Sequence, residues 1–202
     1  MNIVTEYQYF APVTLYSYVA KFQNIQFEQC ENFQKSSFRN KMQLASPQGV
    51  LNLSIPILGG RGTRQHINNI VVDYRLPWQR QHFATICNLY NRSAYFEFYK
   101  PELNILYNTT IFDLISWNKE CHFWVLSKLK LQAIMAATNS YIYNYDNNSH
   151  IDLRNQLLTY QGKMALSPKP YTQVFNGGNN FIPNLSILDL LFCQGPNSRA
   201  YL

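Results

Sequence analysis

Charge is scarce in this sequence. Lys, Arg, Asp and Glu make up only 14% of the 202 residues, against about a quarter in an ordinary globular domain. A disordered chain pairs high charge with few aromatics; here aromatics reach 15%, so the composition is that of a folded chain. Long apolar runs are also missing. No stretch approaches the length of about 18 apolar residues that a membrane-spanning helix needs, and no such span is expected. Paired cysteines are absent too. Cys30, Cys87, Cys121 and Cys193 stand far apart with no CxxC and no Cys/His cluster, which argues against a disulfide framework and against a zinc site. The opening Met1–Phe10 has neither a basic nor a long apolar stretch of the kind a secretory signal carries, so the expected compartment is the reducing cytoplasm.

Signature motifs of several enzyme classes are missing as well. There is no P-loop ending, no GxSxG elbow and no HExxH or HxxxH spacing, so no nucleotide-triphosphate cradle, serine-hydrolase site or metal site can be read directly. No cofactor is named by any motif. Internal repeats and heptads are absent.

What is present is polarity without charge, carried by Asn, Gln, Ser and Tyr, and a net charge of +6 that is unevenly placed. Lys35, Arg39, Lys41, Arg61, Arg64, Arg75, Arg80 and Arg92 fall in one stretch whose only acid is Asp73. This locally positive segment points to an anionic small-molecule partner, or to a solvated basic surface. The basic and aromatic residues form no RNP-like pattern, and nucleic-acid binding is not expected.

The chain reads as one α/β domain over residues 1–202, with a small mixed sheet and a predominantly helical middle. Met1–Gln8 is a strand, Pro12–Phe22 a helix and Ile25–Cys30 a strand, a βαβ-like opening. Pro47-Gln48-Gly49 marks a turn. Val50–Leu58 and Ile67–Tyr74 alternate and are expected to pair as antiparallel strands across a Gly-rich loop. Pro77 opens a helical stretch to Leu131, in which Trp78, His82, Ile86 and Leu89 share a face. Tyr141, Tyr143 and Tyr145 alternate as a strand would. Ile187–Phe192 closes the chain with a short helix before Gly195-Pro196.

Four features carry candidate chemistry. Gly59-Gly60-Arg61-Gly62-Thr63-Arg64 follows a strand, so Arg61 and Arg64 are candidates to grip phosphate; the alternative is a mobile hairpin loop. His82 beside Trp78 is a candidate general base near neutral pH, or else a hydrogen-bonded core histidine. Glu28, Asn32, Gln34, Ser37, Arg39 and Asn40 crowd after a predicted strand, where ligands bind in α/β folds; they suit a sugar or amide, or they pin an irregular loop. Cys30, among polar residues with Glu28 and Glu31 nearby, lacks the electropositive surroundings of a nucleophilic thiol and reads as structural.

Several segments together are familiar. Tyr7-Gln8-Tyr9-Phe10-Ala11-Pro12, Glu28 through Asn40, Leu53-Ser54-Ile55-Pro56-Ile57, Pro77-Trp78-Gln79-Arg80-Gln81-His82, Tyr95-Phe96-Glu97-Phe98-Tyr99 and Phe181 through Phe192 resemble the WbqC-like family over nearly the whole chain. That resemblance implies a place in bacterial surface-polysaccharide biosynthesis. Its most concrete form is a transferase that moves an acyl or aminoacyl group onto a nucleotide-linked amino sugar. His82 would be the base, the arginines would hold phosphate, the Glu28–Asn40 polar groups would hold the acceptor and Trp78 would shape the pocket. The alternative is a non-catalytic module that binds a glycan precursor or a protein partner. Many members open on Gln-Pro-x-Tyr-x-Pro-Trp; this chain keeps Tyr and Pro and lacks the Trp.

Overall fold

The computed structural model describes residues 1–59, 65–157, 168–175 and 181–202. Strand β1 (Asn2–Glu6) leads into helix α1 (Val13–Phe22) and back into strand β2 (Asn24–Glu28). The strands lie parallel, with Ile3 opposite Ile25 and Glu6 opposite Glu28. This is the expected βαβ opening. α1 is buried from Val13 to Val19, as a crossover helix on a parallel sheet must be. It stops where Gln23 turns into the left-handed region, at φ 58°, and returns its N–H to Val19.

Two short strands complete this sheet. β5 (Ile134–Ala137) adds beside β2, and β6 (His150–Asp152) adds beside β1. The order is β5-β2-β1-β6, all parallel. Between β2 and β5 come β3 (Lys41–Ser46), β4 (Gly49–Ser54) and three helices. β3 and β4 form a separate antiparallel hairpin closed by Pro47-Gln48, with Gly49 at φ 106°. The mixed α/β class is thus as expected, with the parallel and antiparallel pairings in two distinct sheets.

Two strand expectations are corrected. The partner of Val50–Ser54 is Lys41–Ser46, not Ile67–Tyr74. Asn68-Asn69 instead make a short 3₁₀ turn over Ile67–Asn69, capped by the His66 ring, and only isolated bridges follow, Ile57 to Val72 and Val71 to Asp113. Asn competes with strand hydrogen bonds through its own side chain. Tyr141, Tyr143 and Tyr145 form no strand; both edges of β1 are already taken by β2 and β6.

The helical middle follows the sequence pattern: α2 (Trp78–Tyr90), α3 (Phe96–Tyr107) and α4 (Leu114–Leu129). Pro77 sits at the α2 N-cap, and the Asp113 carboxylate accepts from Ser116 N at 2.7 Å to start α4. Trp78, His82 and Ile86 are buried along one face of α2. Helix α5 (Ile187–Gln194) closes the domain from Ser186, whose hydroxyl caps it and also donates to the Phe10 carbonyl at 2.8 Å. Gly195, at φ 52°, lies against the Tyr95 ring so closely that a Cβ would collide. Among the described residues, no helix is long and apolar enough to cross a membrane.

Candidate functional site at the carboxyl edge of the parallel sheet

In a parallel sheet the strand ends that carry loops gather on one edge, and ligands in open α/β folds bind there. Here that edge is ionic and closed. β1 ends on Glu6 and β2 on Glu28, side by side in register. Thr138 follows β5 and Arg154 follows β6. Glu6, Glu28 and Arg39 are all 0% exposed.

Arg39 grips Glu31 with two parallel bonds, Nε to Oε1 at 2.7 Å and Nη2 to Oε2 at 2.6 Å, and Nη2 also donates to Asn155 Oδ1 at 3.0 Å. Its Nη1 stands 3.8 Å from Glu6 Oε1, beyond hydrogen-bond reach. Glu6 accepts from Asn155 N and from Gln8 Nε2, both at 3.1 Å. Glu28 accepts from Thr138 Oγ1 at 2.7 Å, Cys30 N at 2.8 Å and Arg154 Nη1 at 3.2 Å. Arg154 also pairs with Asp152, Nη2 to Oδ2 at 2.6 Å. Four carboxylates (Glu6, Glu28, Glu31 and Asp152) therefore face two guanidiniums. Burial, only partly offset by Arg39, holds the Glu31 carboxyl above the usual range.

The roof of this edge is the Tyr-rich segment after β5. The Arg154 guanidinium centre lies 4.8 Å from the Tyr141 ring and 4.9 Å from the Tyr145 ring, and its Nη2 donates to the Tyr143 carbonyl at 3.3 Å. The alternation of tyrosines that reads as a strand thus serves cation–π stacking.

His82 lies elsewhere. Its Nδ1 accepts from Tyr9 OH at 3.0 Å, the Tyr9 hydroxyl is in turn bonded to that of Tyr107, and the ring is further tied to the Ser54 backbone. Trp78 meets it edge-on at 5.2 Å. Burial pulls its pKa down to about 4. None of these contacts reaches Glu28 or Arg39. His122 is nearer the edge. Its Nε2 faces Gln8 N at 3.5 Å and its Nδ1 faces Tyr16 OH at 2.8 Å, and burial lowers its pKa to about 3.

Of the expected site residues, Glu28 and Arg39 lie in two neighbouring ion-pair clusters at this edge, Glu28 with Arg154 and Arg39 with Glu31 and Glu6. Ser37 is buried but spends its hydroxyl on the Gln34 carbonyl at 2.6 Å, and Asn40 donates to Ile55 O at 3.0 Å. Asn32 and Gln34 are exposed. These four pin or flank the loop. Trp78 packs against Trp117 in the aromatic core. Arg61 and Arg64 lie outside the described residues. Cys30 is half-buried, its thiol on the Thr138 carbonyl at 3.5 Å. Glu6, Gln8, Arg154 and Asn155 were not foreseen. The one signal for Glu6 was the repetition of a glutamate at the end of both opening strands, and no local feature marks Gln8, Arg154 or Asn155.

Among the described residues, no group of three or more His, Cys, Asp or Glu side chains is placed to hold a metal ion. No curated protein and no solved structure matches the chain. A sequence model of one family matches residues 8–168, from Gln8 through the cluster and the helical middle. The chain belongs to the WbqC-like protein family.

Proposed function

We propose that this protein is an enzyme of bacterial surface-polysaccharide biosynthesis whose site is the carboxyl edge of the parallel sheet, and that it moves an acyl or aminoacyl group onto a nucleotide-linked amino sugar. The observation that carries this reading is the buried excess of carboxylate over guanidinium at the strand ends. A purely structural network gains nothing from uncompensated buried charge, because burying a charge is costly unless it is paired. An amine that attacks the carbonyl of an acyl-CoA forms the C–N bond as the C–S bond breaks and the CoA thiolate leaves, and the proton it sheds can go to a carboxylate with little cationic compensation. Glu6 is that carboxylate, since it meets Arg39 only at 3.8 Å. His82 has no part in this reading, because its Nδ1 already serves Tyr9 and the ring is also tied to the Ser54 backbone. Entry of a ligand requires the Tyr141–Tyr145 roof to lift.

The test is thermal-shift screening with UDP- and dTDP-linked sugars and acyl-CoAs. A ligand of the native state raises the melting point by mass action. The expected result is a rise with a nucleotide sugar that Glu6→Gln abolishes. A flat response to every nucleotide sugar at millimolar concentration would sink the reading. A second reading, the partner-binding module, has its own support. A cleft of about 700 Å³ between α3 and α4 is lined by Ile105, Leu106, Phe123 and Trp124, and Ile105, Phe112 and Phe123 are 67%, 67% and 53% exposed. Exposed apolar surface of that kind marks interaction sites.

A further inference from the structure

One side of the parallel sheet is open. β5 is the outer strand there, and its register sets Ile134 opposite Asn24 and Ala137 opposite Phe27. The Ile134 N–H donates to the Gln23 carbonyl and the Thr138 N–H to the Phe27 carbonyl, both at 2.9 Å. Backbone groups alternate sides along a strand, so residues 134, 136 and 138 turn theirs to β2. Met135 and Ala137 turn theirs outward, where no strand lies among the described residues. Such an edge is a template for another strand, and natural proteins guard it with charge, proline or a bulge. Ile134-Met135-Ala136-Ala137 carries neither charge nor proline, and Ile134 is 72% exposed. Beside it lies a cleft of about 660 Å³ lined by Phe22, Phe123, Leu131 and Ile134 among others, with no charged residue. Phe123 also lines the α3–α4 cleft, so apolar surface runs on from the strand to those helices.

We propose that a second copy of this chain occupies the open edge, paired antiparallel through β5 about a two-fold axis at Ala136. Charge favours this occupant. A chain of net charge +6 repels its own copies, and they meet at least cost where neither presents a charge. The strand and its cleft meet that condition; Lys21 and Lys130 adjoin the cleft in sequence but do not line it. The strand is also complementary to itself. With Ala136 on the axis, Met135 of each copy faces Ala137 of the other, and the exchange of N–H···O bonds satisfies every outward group of both strands. The axial pair is of the non-hydrogen-bonded type, in which the backbones come closest, and alanine leaves room for that approach. A stable dimer buries about 800 Å² per partner, more than so short a strand supplies, so the cleft shares the contact. β5 runs on into Thr138, whose hydroxyl donates to Glu28 at 2.7 Å, so the seam braces that end of the carboxyl edge. The pairing is independent of the reaction proposed above.

Sedimentation equilibrium of the full chain, from micromolar to several hundred micromolar, is expected to show a dimer. Ala136 is exposed, so Ala136→Lys and Ala136→Glu leave the packing of the monomer alone, which circular dichroism checks. Each variant by itself sets like charges across the axis. Each should raise the dimer Kd at least about tenfold, since a charge buried without a partner is costly. An equimolar mixture of the two sets Lys against Glu and should recover the dimer, a result that misfolding cannot mimic. Ala137→Pro removes an outward N–H only, a change that edge strands tolerate, and it should weaken the dimer as well. A natural chain that stays monomeric over the whole range overturns the proposal, whatever the variants do. So does a dimer that Ala136→Lys and Ala137→Pro leave intact, which would place the contact elsewhere. A mixture that stays monomeric overturns the two-fold register at Ala136.

Discussion

Arg39 sits at the centre of the carboxyl edge with Glu31 bidentate at 2.7 and 2.6 Å. Removing one partner of a buried ion pair strands the other, at about 3–5 kcal/mol. Arg39→Met is expected to destabilise the fold by that amount in urea unfolding. Glu31→Gln should cost less, because burial already works against the charged Glu31 carboxylate. Equal losses from the two would contradict the unequal charge balance described here. At this scale the sequence was half legible. Glu28 and Arg39 stood out because polar side chains crowd after a predicted strand. Glu6 and Gln8 did not, since a glutamate and a glutamine beside Tyr7 carry no local mark of burial. His82 was legible as a residue on a buried helical face, but nothing local shows that Tyr9, 73 positions away, takes its Nδ1.

At the scale of elements, long periodic segments were the readable ones. α2, α3 and α4 repeat apolar residues at helical spacing, and α2 and α4 begin on a proline and an aspartate cap. β5 and β6 span only four and three residues, too short for alternation to speak. The segment between them reads as a strand and is a roof, because its tyrosines answer to Arg154 rather than to a neighbouring backbone. Arg154 ties together β6 through Asp152, β2 through Glu28 and the roof through Tyr141, Tyr143 and Tyr145. Arg154→Leu is expected to free the roof. Amide exchange over residues 139–149 should quicken at least tenfold, while that of α4 changes little, since local openings draw on the least stable parts of a fold. Equal quickening in α4 would mean that Arg154 supports the whole domain instead.

For the whole molecule, two buried histidines set the response to acid. Burial pulls His82 down to about 4 and His122 to about 3. An ordinary histidine titrates near 6.5, so between roughly pH 6.5 and 4 the unfolded chain binds protons that the native state refuses. The stability these rings supply is complete above that window and is lost as pH falls through it. Each contributes roughly 2 kcal/mol between pH 7 and pH 5 by this linkage, about 4 kcal/mol together. Asp189 works in the opposite direction. Its carboxyl is raised by burial, with Tyr90, Tyr171 and Gln173 donating to it, so it regains stability as acid protonates it, and Glu31 behaves alike. A carboxyl's ordinary value lies near 4, so this relief accrues as pH falls from the raised folded value toward 4 and opposes the loss from the histidines. Urea unfolding at pH 7, 6 and 5 should therefore show a steep fall in midpoint. His122→Gln keeps a polar side chain on Gln8 N or Tyr16 OH and removes one titrating ring, so it should cut that pH dependence by about half whatever it does to stability at pH 7. An unchanged slope in His122→Gln would mean that His122 titrates alike in the folded and unfolded chain, and the packing assigned to it against Tyr16 and Gln8 would have to be abandoned.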